Sequence, residues 1–138
     1  MPKINTEYLG KCIATVEKSY EMLRQTNEGT IEYELYRNSL LKGFEIALEQ
    51  SGKLLKKKLN PYFASKRAVD MLVFKDIFRH AHKHALINEK ETERWFKYRD
   101  NRNSTVHDYG QAFAQETLKL IDTFLIDVKN LKKVIENA

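Results

Sequence analysis

The chain has 138 residues, with 24 Lys and Arg against 19 Asp and Glu, a formal net charge of +5. This length fits one domain over residues 1–138, and 42% hydrophobic with 31% charged residues excludes a disordered chain. No apolar run approaches the ~20 residues of a membrane span, the N-terminus lacks a signal-peptide stretch, and the one cysteine excludes an internal disulfide. We expect a cytoplasmic protein.

Apolar residues recur at helical spacing from the start of the chain. The spacing predicts a first helix over residues 5–25 and a turn in which Gly29 can adopt a positive φ. A second helix is predicted over residues 31–58, where Gly52 is a candidate kink. It ends at Asn60-Pro61, because the residue before a proline is pushed out of the helical region.

The second half of the chain continues the helical pattern. A third helix is predicted from Ser65 to about residue 86, and its wide apolar face indicates a central position. Asn88 and Glu91 form a capping box that begins a fourth helix, which leads toward Arg102. The last helix follows Gly110 and runs nearly to the end. These elements predict an all-α, antiparallel up-and-down bundle of about five helices.

Positive charge is unevenly distributed along the chain. Between Glu49 and Asp70 there is no acidic residue, and all the charged side chains in this interval are basic: Lys53, Lys56, Lys57, Lys58, Lys66 and Arg67. Basic residues suit the C-terminal end of a helix, so a solvated helix end is one interpretation and the slightly favoured one. The other is a patch that attracts RNA, a nucleotide or an acidic partner.

The segment richest in reactive side chains is residues 102–109, RNSTVHDY. Arg102 offers a permanent cation that can bind two phosphate oxygens, and His107 can move a proton near neutral pH. Together they could cleave RNA without a metal, with the imidazole activating the ribose 2′-hydroxyl and the guanidinium stabilising the negative transition state. One histidine per chain supplies only a base or an acid, so such chemistry favours a two-fold dimer that joins two segments.

Spacing limits how these groups can meet. Residues five apart on an unbroken helix point about 140° away from each other, so Arg102 and His107 converge only if the helix loosens near Ser104 and Thr105. The structural alternative is that the segment only caps and ties helices. Arg102 would then pair with Asp100, with Asp108 or with an acidic residue elsewhere in the chain.

Other candidate sites carry weaker patterns. His80 and His84 are four residues apart and could share a zinc ion, but no clear third ligand accompanies them. A surface face is the favoured interpretation, and no metal or other cofactor is expected. Trp95, Phe96 and Tyr98 are expected in the core or at a dimer surface rather than as a base-stacking platform.

The segment from residue 78 to residue 109 resembles a known family. The run FRHAHKHALI over residues 78–87, then Trp95, then Tyr98, then RNSTVHDY is similar to the HEPN domains, and within them to the nucleotidyltransferase substrate-binding branch related to HepT-type toxins. The resemblance implies a helical bundle, a homodimer, and as partner a minimal nucleotidyltransferase encoded by the adjacent gene.

The resemblance also implies roles for individual residues. HEPN toxins of toxin–antitoxin pairs are metal-independent RNases, so Arg102 and His107 would be the catalytic pair and Asn103 would orient them. In the toxin branch the transferase attaches AMP to the motif tyrosine, which here would be Tyr109. Arg99, with Arg102 and His107, would bind nucleotide or RNA at the dimer interface.

Asp108 argues against RNA cleavage and so ranks the functional hypotheses. It stands where the family commonly has threonine, and it puts a negative charge that would repel RNA phosphate beside His107. The leading hypothesis is therefore a toxin-like, substrate-binding subunit of a nucleotidyltransferase module. The alternatives are a metal-independent endoribonuclease that uses Arg102 and His107, and a catalytically inert dimeric interaction module.

Overall fold

The computed structural model describes residues 3–104 and 111–137, with the side chains of residues 103 and 104 outside that description. The predicted all-α class is confirmed. The helices are α1 (Glu7–Arg24), α2 (Ile31–Leu59), a 3-10 turn (Asn60–Tyr62), α3 (Lys66–Asp70), α4 (Phe74–Lys83), α5 (Glu89–Ser104) and α6 (Gln111–Glu136). The long helix α2 packs against α1, α4 and α6, which makes it the central element. None of the helices described is long and apolar enough to cross a membrane.

The N-terminal ends of α2 and α5 follow local sequence signals. Gly29 has a φ of 85°, as the predicted turn requires, and the Thr30 hydroxyl accepts the backbone N–H of Tyr33 at 3.1 Å to begin α2. The predicted capping box is confirmed. The Glu91 N–H donates to the Asn88 side chain at 2.8 Å, and the Asn88 N–H donates to the Glu91 carboxylate at 3.0 Å.

The prediction of one continuous third helix over residues 65–86 is wrong. The structure has two helices, α3 and α4, separated at residues 71–73. Val69, Ile77 and Ala81 of the predicted apolar face are buried. Val73 is 64% exposed, so the face is interrupted where the two helices separate. The backbone of Val73 is extended (φ −83°, ψ 167°), and α4 begins at the next residue. This break adds one helix to the predicted five.

Helix α2 is continuous from Ile31 to Leu59, so Gly52 does not interrupt it. The role of Gly52 is to let α4 approach. A Cβ atom at Gly52 would lie 2.9 Å from the ring of Phe74, closer than side-chain carbons ordinarily come. The missing side chain therefore provides the space into which the first residue of α4 packs.

An aromatic cluster joins four helices at the centre of the bundle. Trp95 of α5 stacks on Phe78 of α4 with ring centroids 4.8 Å apart, and Tyr98 meets Phe124 of α6 edge to face at 5.2 Å. Phe124 in turn lies 4.7 Å from Phe44 of α2. All five side chains are fully buried, so Trp95 and Tyr98 belong to the core, as expected. Such ring pairs add about 0.5–1.5 kcal/mol each beyond the area they bury.

Candidate functional site

The C-terminal half of α5 carries two arginines that face α2. Arg99 donates from Nη1 to the Glu49 carboxylate at 2.6 Å, and Arg102 Nε lies 3.2 Å from Glu45 Oε2. The arginines are three residues apart on α5 and the glutamates four apart on α2, so successive turns of the two helices are joined. We call these two ion pairs the arginine ladder. It brings the first residue of the segment 102–109 against the central helix.

Arg102 and Glu45 form the more enclosed of the two pairs. The Glu45 side chain is 7% exposed and the Arg102 side chain 23%. The Nε–H group is not aligned to hydrogen-bond with the carboxylate, so the contact at Nε is an ion pair rather than a hydrogen bond. A guanidinium has five N–H donors, more than one carboxylate can use. Arg102 can therefore be held by Glu45 and still bind a phosphate or another anion.

The end of α5 is also fixed to α6. Asn101, the residue before Arg102, is buried and donates from its amide nitrogen to the Thr117 hydroxyl at 2.9 Å. Thr117 is fully buried on the second turn of α6, shortly after residues 105–110. Sequence reasoning missed this bond, although a threonine on the apolar face of α6 signalled that a polar partner was needed.

A buried network lies one to two turns earlier on α5. Arg94 binds Asp127 of α6 in bidentate fashion, from Nε at 2.7 Å and from Nη2 at 2.8 Å, and the Tyr98 hydroxyl donates to the same carboxylate at 2.6 Å. Asp127 is 1% exposed. Burial, together with the bond to this carboxylate, raises the pKa of Tyr98, so the phenol stays protonated. We call this the Asp127 network; its sequence signal was an aspartate within the apolar stripe of α6.

The structure describes only some of the predicted site residues. Arg99 and Arg102 lie on the same face of α5, as a shared anion site requires. His107 and Tyr109 lie outside the described residues, as does the side chain of Asn103. The meeting of Arg102 with His107, the orienting role of Asn103 and the modification of Tyr109 therefore stay predictions.

The alternative that Arg102 only pairs with an acidic residue can be compared with part of the structure. Asp100, one of its suggested partners, pairs instead with Lys75 at 2.6 Å, and Asp108 lies outside the described residues. Among the described residues, the acid paired with Arg102 is the distant Glu45. Helix α5 extends to Ser104, so any loosening of the helix before His107 would follow that residue.

The three histidines at the C-terminal end of α4, of which His84 follows the last helical residue, have separate neighbours. His84 stacks on Tyr62 with ring centroids 3.9 Å apart, and His80 meets Phe63 edge to face at 4.9 Å. His82 Nδ1 lies 3.2 Å from a backbone carbonyl in the loop after α4. Within residues 3–104 and 111–137, no group of three or more His, Cys, Asp or Glu side chains could hold a metal ion.

Comparison with known proteins defines the class of this helical bundle and then the family. A solved structure from Haemophilus influenzae, described as the fold of a substrate-binding domain of a nucleotidyltransferase, has a TM-score of 0.79 and 26% sequence identity, covering 96% of this chain and all of that one. The family described as nucleotidyltransferase substrate binding protein like matches residues 7–137, and the chain belongs to it.

A curated relative is similar over most of its length. It is the "Probable ribonuclease HepT" of Haemophilus influenzae, 30% identical over 129 residues, which covers 91% of this chain and 87% of the relative. The resemblance to the HEPN and HepT-like proteins is confirmed by this relative and by the family.

Proposed function

We propose that this chain is the toxin-like, substrate-binding subunit of a nucleotidyltransferase module. In this proposal the chain forms a homodimer, pairs with a minimal nucleotidyltransferase, and binds nucleotide or RNA where α5 ends and α6 begins. Membership in the nucleotidyltransferase substrate binding protein like family supports a role in such a module. The arginine ladder is the observation that carries the site, because it holds Arg99 and Arg102 at the start of the segment that contains His107 and Tyr109.

The chemistry of the ladder fits an anionic ligand. Glu45 and Glu49 balance the two guanidinium charges in the absence of ligand, so the arginines are positioned before an anion arrives. A phosphate would take over N–H donors that one carboxylate cannot satisfy, and bidentate contacts of this kind are among the stronger hydrogen bonds in proteins. A two-fold dimer would bring a second copy of the same segment to the ligand.

Co-elution tests the module. The chain and the transferase encoded by the adjacent gene are purified together and apart, and their masses are followed by light scattering during size-exclusion chromatography. We expect one complex that contains two copies of this chain. Separate elution at micromolar concentration would contradict the proposal.

Modification of Tyr109 tests the same proposal independently. In the expected reaction the phenol oxygen attacks the α-phosphorus of ATP, a tyrosyl-AMP ester forms, and pyrophosphate leaves. Mass spectrometry after incubation with transferase and ATP should show AMP on wild-type protein and none on Tyr109→Phe. Tyr8→Phe is the control, because Tyr8 is an exposed tyrosine on α1 and should not change the product.

A second candidate function is metal-independent RNA cleavage. The relative named "Probable ribonuclease HepT" favours it. His107 would accept the proton of the ribose 2′-hydroxyl while the 2′-oxygen attacks phosphorus, Arg102 would stabilise the added negative charge, and Asn103 would orient the pair. The imidazole of a second copy would protonate the leaving 5′-oxygen.

An RNA digest in the presence of chelator tests this second candidate. Cleavage should be lost in His107→Ala and retained in Arg79→Ala, whose arginine is exposed on α4 and pairs with Asp76. Cleavage that survives His107→Ala unchanged would exclude the mechanism.

Arg102→Lys separates a functional arginine from a structural one. Lysine keeps a positive charge beside Glu45 but loses the planar fork that binds phosphate. If the ladder serves a site, this variant should melt within a few degrees of wild type and lose nucleotide or RNA affinity. If the chain is an inert interaction module, Arg102→Ala should lower the free energy of unfolding by about 1 kcal/mol or more, and no ligand affinity should depend on the fork.

A further inference from the structure

The net positive charge of this chain comes from one short interval. Residues 50–69 contain six Lys and Arg and no acidic residue. When these six are set aside, 18 Lys and Arg remain against 19 Asp and Glu, so the rest of the chain is nearly neutral. A charge concentrated in this way creates a local field that a net charge of +5 spread over the whole surface would not.

The structure exposes most of these side chains on one corner of the bundle. Lys53 and Lys57 are exposed near the end of α2, and Lys66 and Arg67 are exposed on α3. None of the four has an ion pair or a side-chain hydrogen bond with another described residue. Lys56 joins the two elements, because its ammonium group donates to the backbone carbonyl of Asp70 at 3.0 Å. The end of a helix needs only about half a unit of charge to balance its dipole, so these cations exceed what α2 requires.

One ring of an aromatic pair lies within the same interval. Tyr62, in the turn between α2 and α3, stacks on His84 with the rings 3.9 Å apart and only 13° from parallel. Tyr62 nevertheless keeps 49% of its surface exposed. Exposed flat rings beside cations are the combination by which proteins bind single-stranded nucleic acids, since phosphates contact the cations and bases stack on the rings.

This corner is continuous with the arginine ladder along α2. One face of α2 is contacted on successive turns, at Glu45 by Arg102, at Glu49 by Arg99, at Gly52 by the Phe74 ring, and at Lys56 by the Asp70 carbonyl. Eleven residues of helix separate the first contact from the last, which is about 16 Å along the axis. Helices α3 and α4 cover this face at Lys56 and Gly52, so a strand that contacts both ends would pass over those two helices.

We propose that Lys53, Lys57, Tyr62, Lys66 and Arg67 form a binding surface for single-stranded RNA, which we call the α2–α3 basic surface. It would hold the backbone and one base of a strand whose continuation reaches Arg102. Only the continuation of the strand to Arg102 rests on the proposed function, because the α2–α3 basic surface itself includes no residue of the segment 102–109. An acidic protein would use the cations but has no need of a stacked ring, and for that reason RNA is the favoured occupant.

The experiment compares two triple variants that change net charge equally. Lys53→Gln/Lys57→Gln/Lys66→Gln removes three cations from the surface, and Lys11→Gln/Lys18→Gln/Lys90→Gln removes three exposed lysines from α1 and the start of α5. Fluorescence anisotropy measures affinity for an unstructured RNA of about 16 nucleotides between about 50 and 200 mM salt. Circular dichroism and melting first establish that both variants fold.

We expect the dependence of log affinity on log salt concentration to become shallower by about 2 in the surface variant, at about 0.7 for each phosphate that the protein no longer neutralises, and to change little in the control variant. Tyr62→Ala should weaken binding by about tenfold, because a base can no longer stack on the ring. Equal affinities of the two triple variants for RNA would overturn the proposal. So would an unchanged affinity of Tyr62→Ala, or polyglutamate that binds as tightly as RNA, since either result would indicate a surface for acidic protein.

Failure of this inference is distinguishable from failure of the proposed function. If wild-type chain fails to pair with the transferase while RNA binding maps to the α2–α3 basic surface, only the proposed function fails. If the chain pairs with the transferase and the two triple variants bind RNA alike, only the further inference fails.

Discussion

Asp127→Asn tests the Asp127 network, in which a buried carboxylate holds Arg94 and Tyr98. The carboxylate accepts two N–H bonds from Arg94 and one O–H bond from Tyr98, all at 2.6–2.8 Å. An amide of nearly the same shape has one oxygen, so its NH₂ group must face an arginine N–H in either orientation, and it also faces the tyrosine hydroxyl when it takes the place of Oδ2. At least one charge-assisted bond is lost, which costs about 1.5–3 kcal/mol. Because Arg94 is 36% exposed, water can solvate part of its charge, and we expect a total loss of about 2–3 kcal/mol.

The assay is urea unfolding followed by circular dichroism, with a double-mutant cycle that adds Tyr98→Phe. The single Tyr98→Phe variant should cost about 1 kcal/mol, because Asp127 keeps both bonds to Arg94. The two substitutions share a hydrogen bond, so their costs should differ from additivity by about 0.5 kcal/mol or more. The exposed pair of Lys119 and Glu116 is the control, and Lys119→Ala should change stability by less than about 0.5 kcal/mol. An Asp127→Asn variant within about 0.5 kcal/mol of wild type would refute this account of the network.

Three further predictions concern Tyr98, Gly52 and Asn88. Folding raises the pKa of Tyr98 above the ordinary 10.0, so above about pH 10 the unfolded chain loses a proton that the folded chain keeps. Urea unfolding at increasing pH should therefore show stability falling by up to about 1.4 kcal/mol per pH unit, and Tyr98→Phe should flatten this fall. Gly52→Ala should lower stability in the same assay by about 1 kcal/mol, because its methyl group meets the Phe74 ring, and Phe74→Leu should relieve part of the loss. Asn88→Ala should lower the melting temperature through a loss of about 1 kcal/mol, whereas Asn88→Asp, which retains an oxygen for the Glu91 N–H, should melt close to wild type.

The sequence predicted the long helices because their signals are local. Apolar spacing, the positive φ at Gly29 and the Asn88 capping box each depend on residues within a few positions of one another. The break between α3 and α4 has no such signal. Leu72 and Val73 continue the apolar helical period, yet the chain turns there and Phe74 packs against Gly52, about twenty residues earlier. Tertiary packing overrode the local pattern, which single-sequence periodicity cannot detect.

The difference between local sequence signals and tertiary contacts also applies to the candidate site. The segment 102–109 pointed to Arg102 because arginine, histidine and tyrosine at short spacing suggest phosphate chemistry, and the family resemblance added Arg99. Their partners Glu45 and Glu49 lie some fifty residues away in sequence, and no spacing rule connects them. Asp127 is similar, since an acid on an apolar stripe signals a buried partner without identifying which arginine or tyrosine fills that role. Sequence therefore identified the reactive side chains, and the structure supplied what positions two of them.

That positioning links stability to the proposed function. Helix α5 is fixed by the Asn88 cap at its start, by Asp127 in its middle and by Glu45 at its end. Arg102 can act on a phosphate only if this helix holds its place, and displacement of a reacting group by about 1 Å can cost a hundredfold in rate. Asp127→Asn should thus lower any RNA cleavage or nucleotide affinity by more than the fraction of unfolded protein explains, although Asp127 is remote from the ligand. If activity falls only in proportion to the unfolded fraction, the network stabilises the bundle without positioning the site.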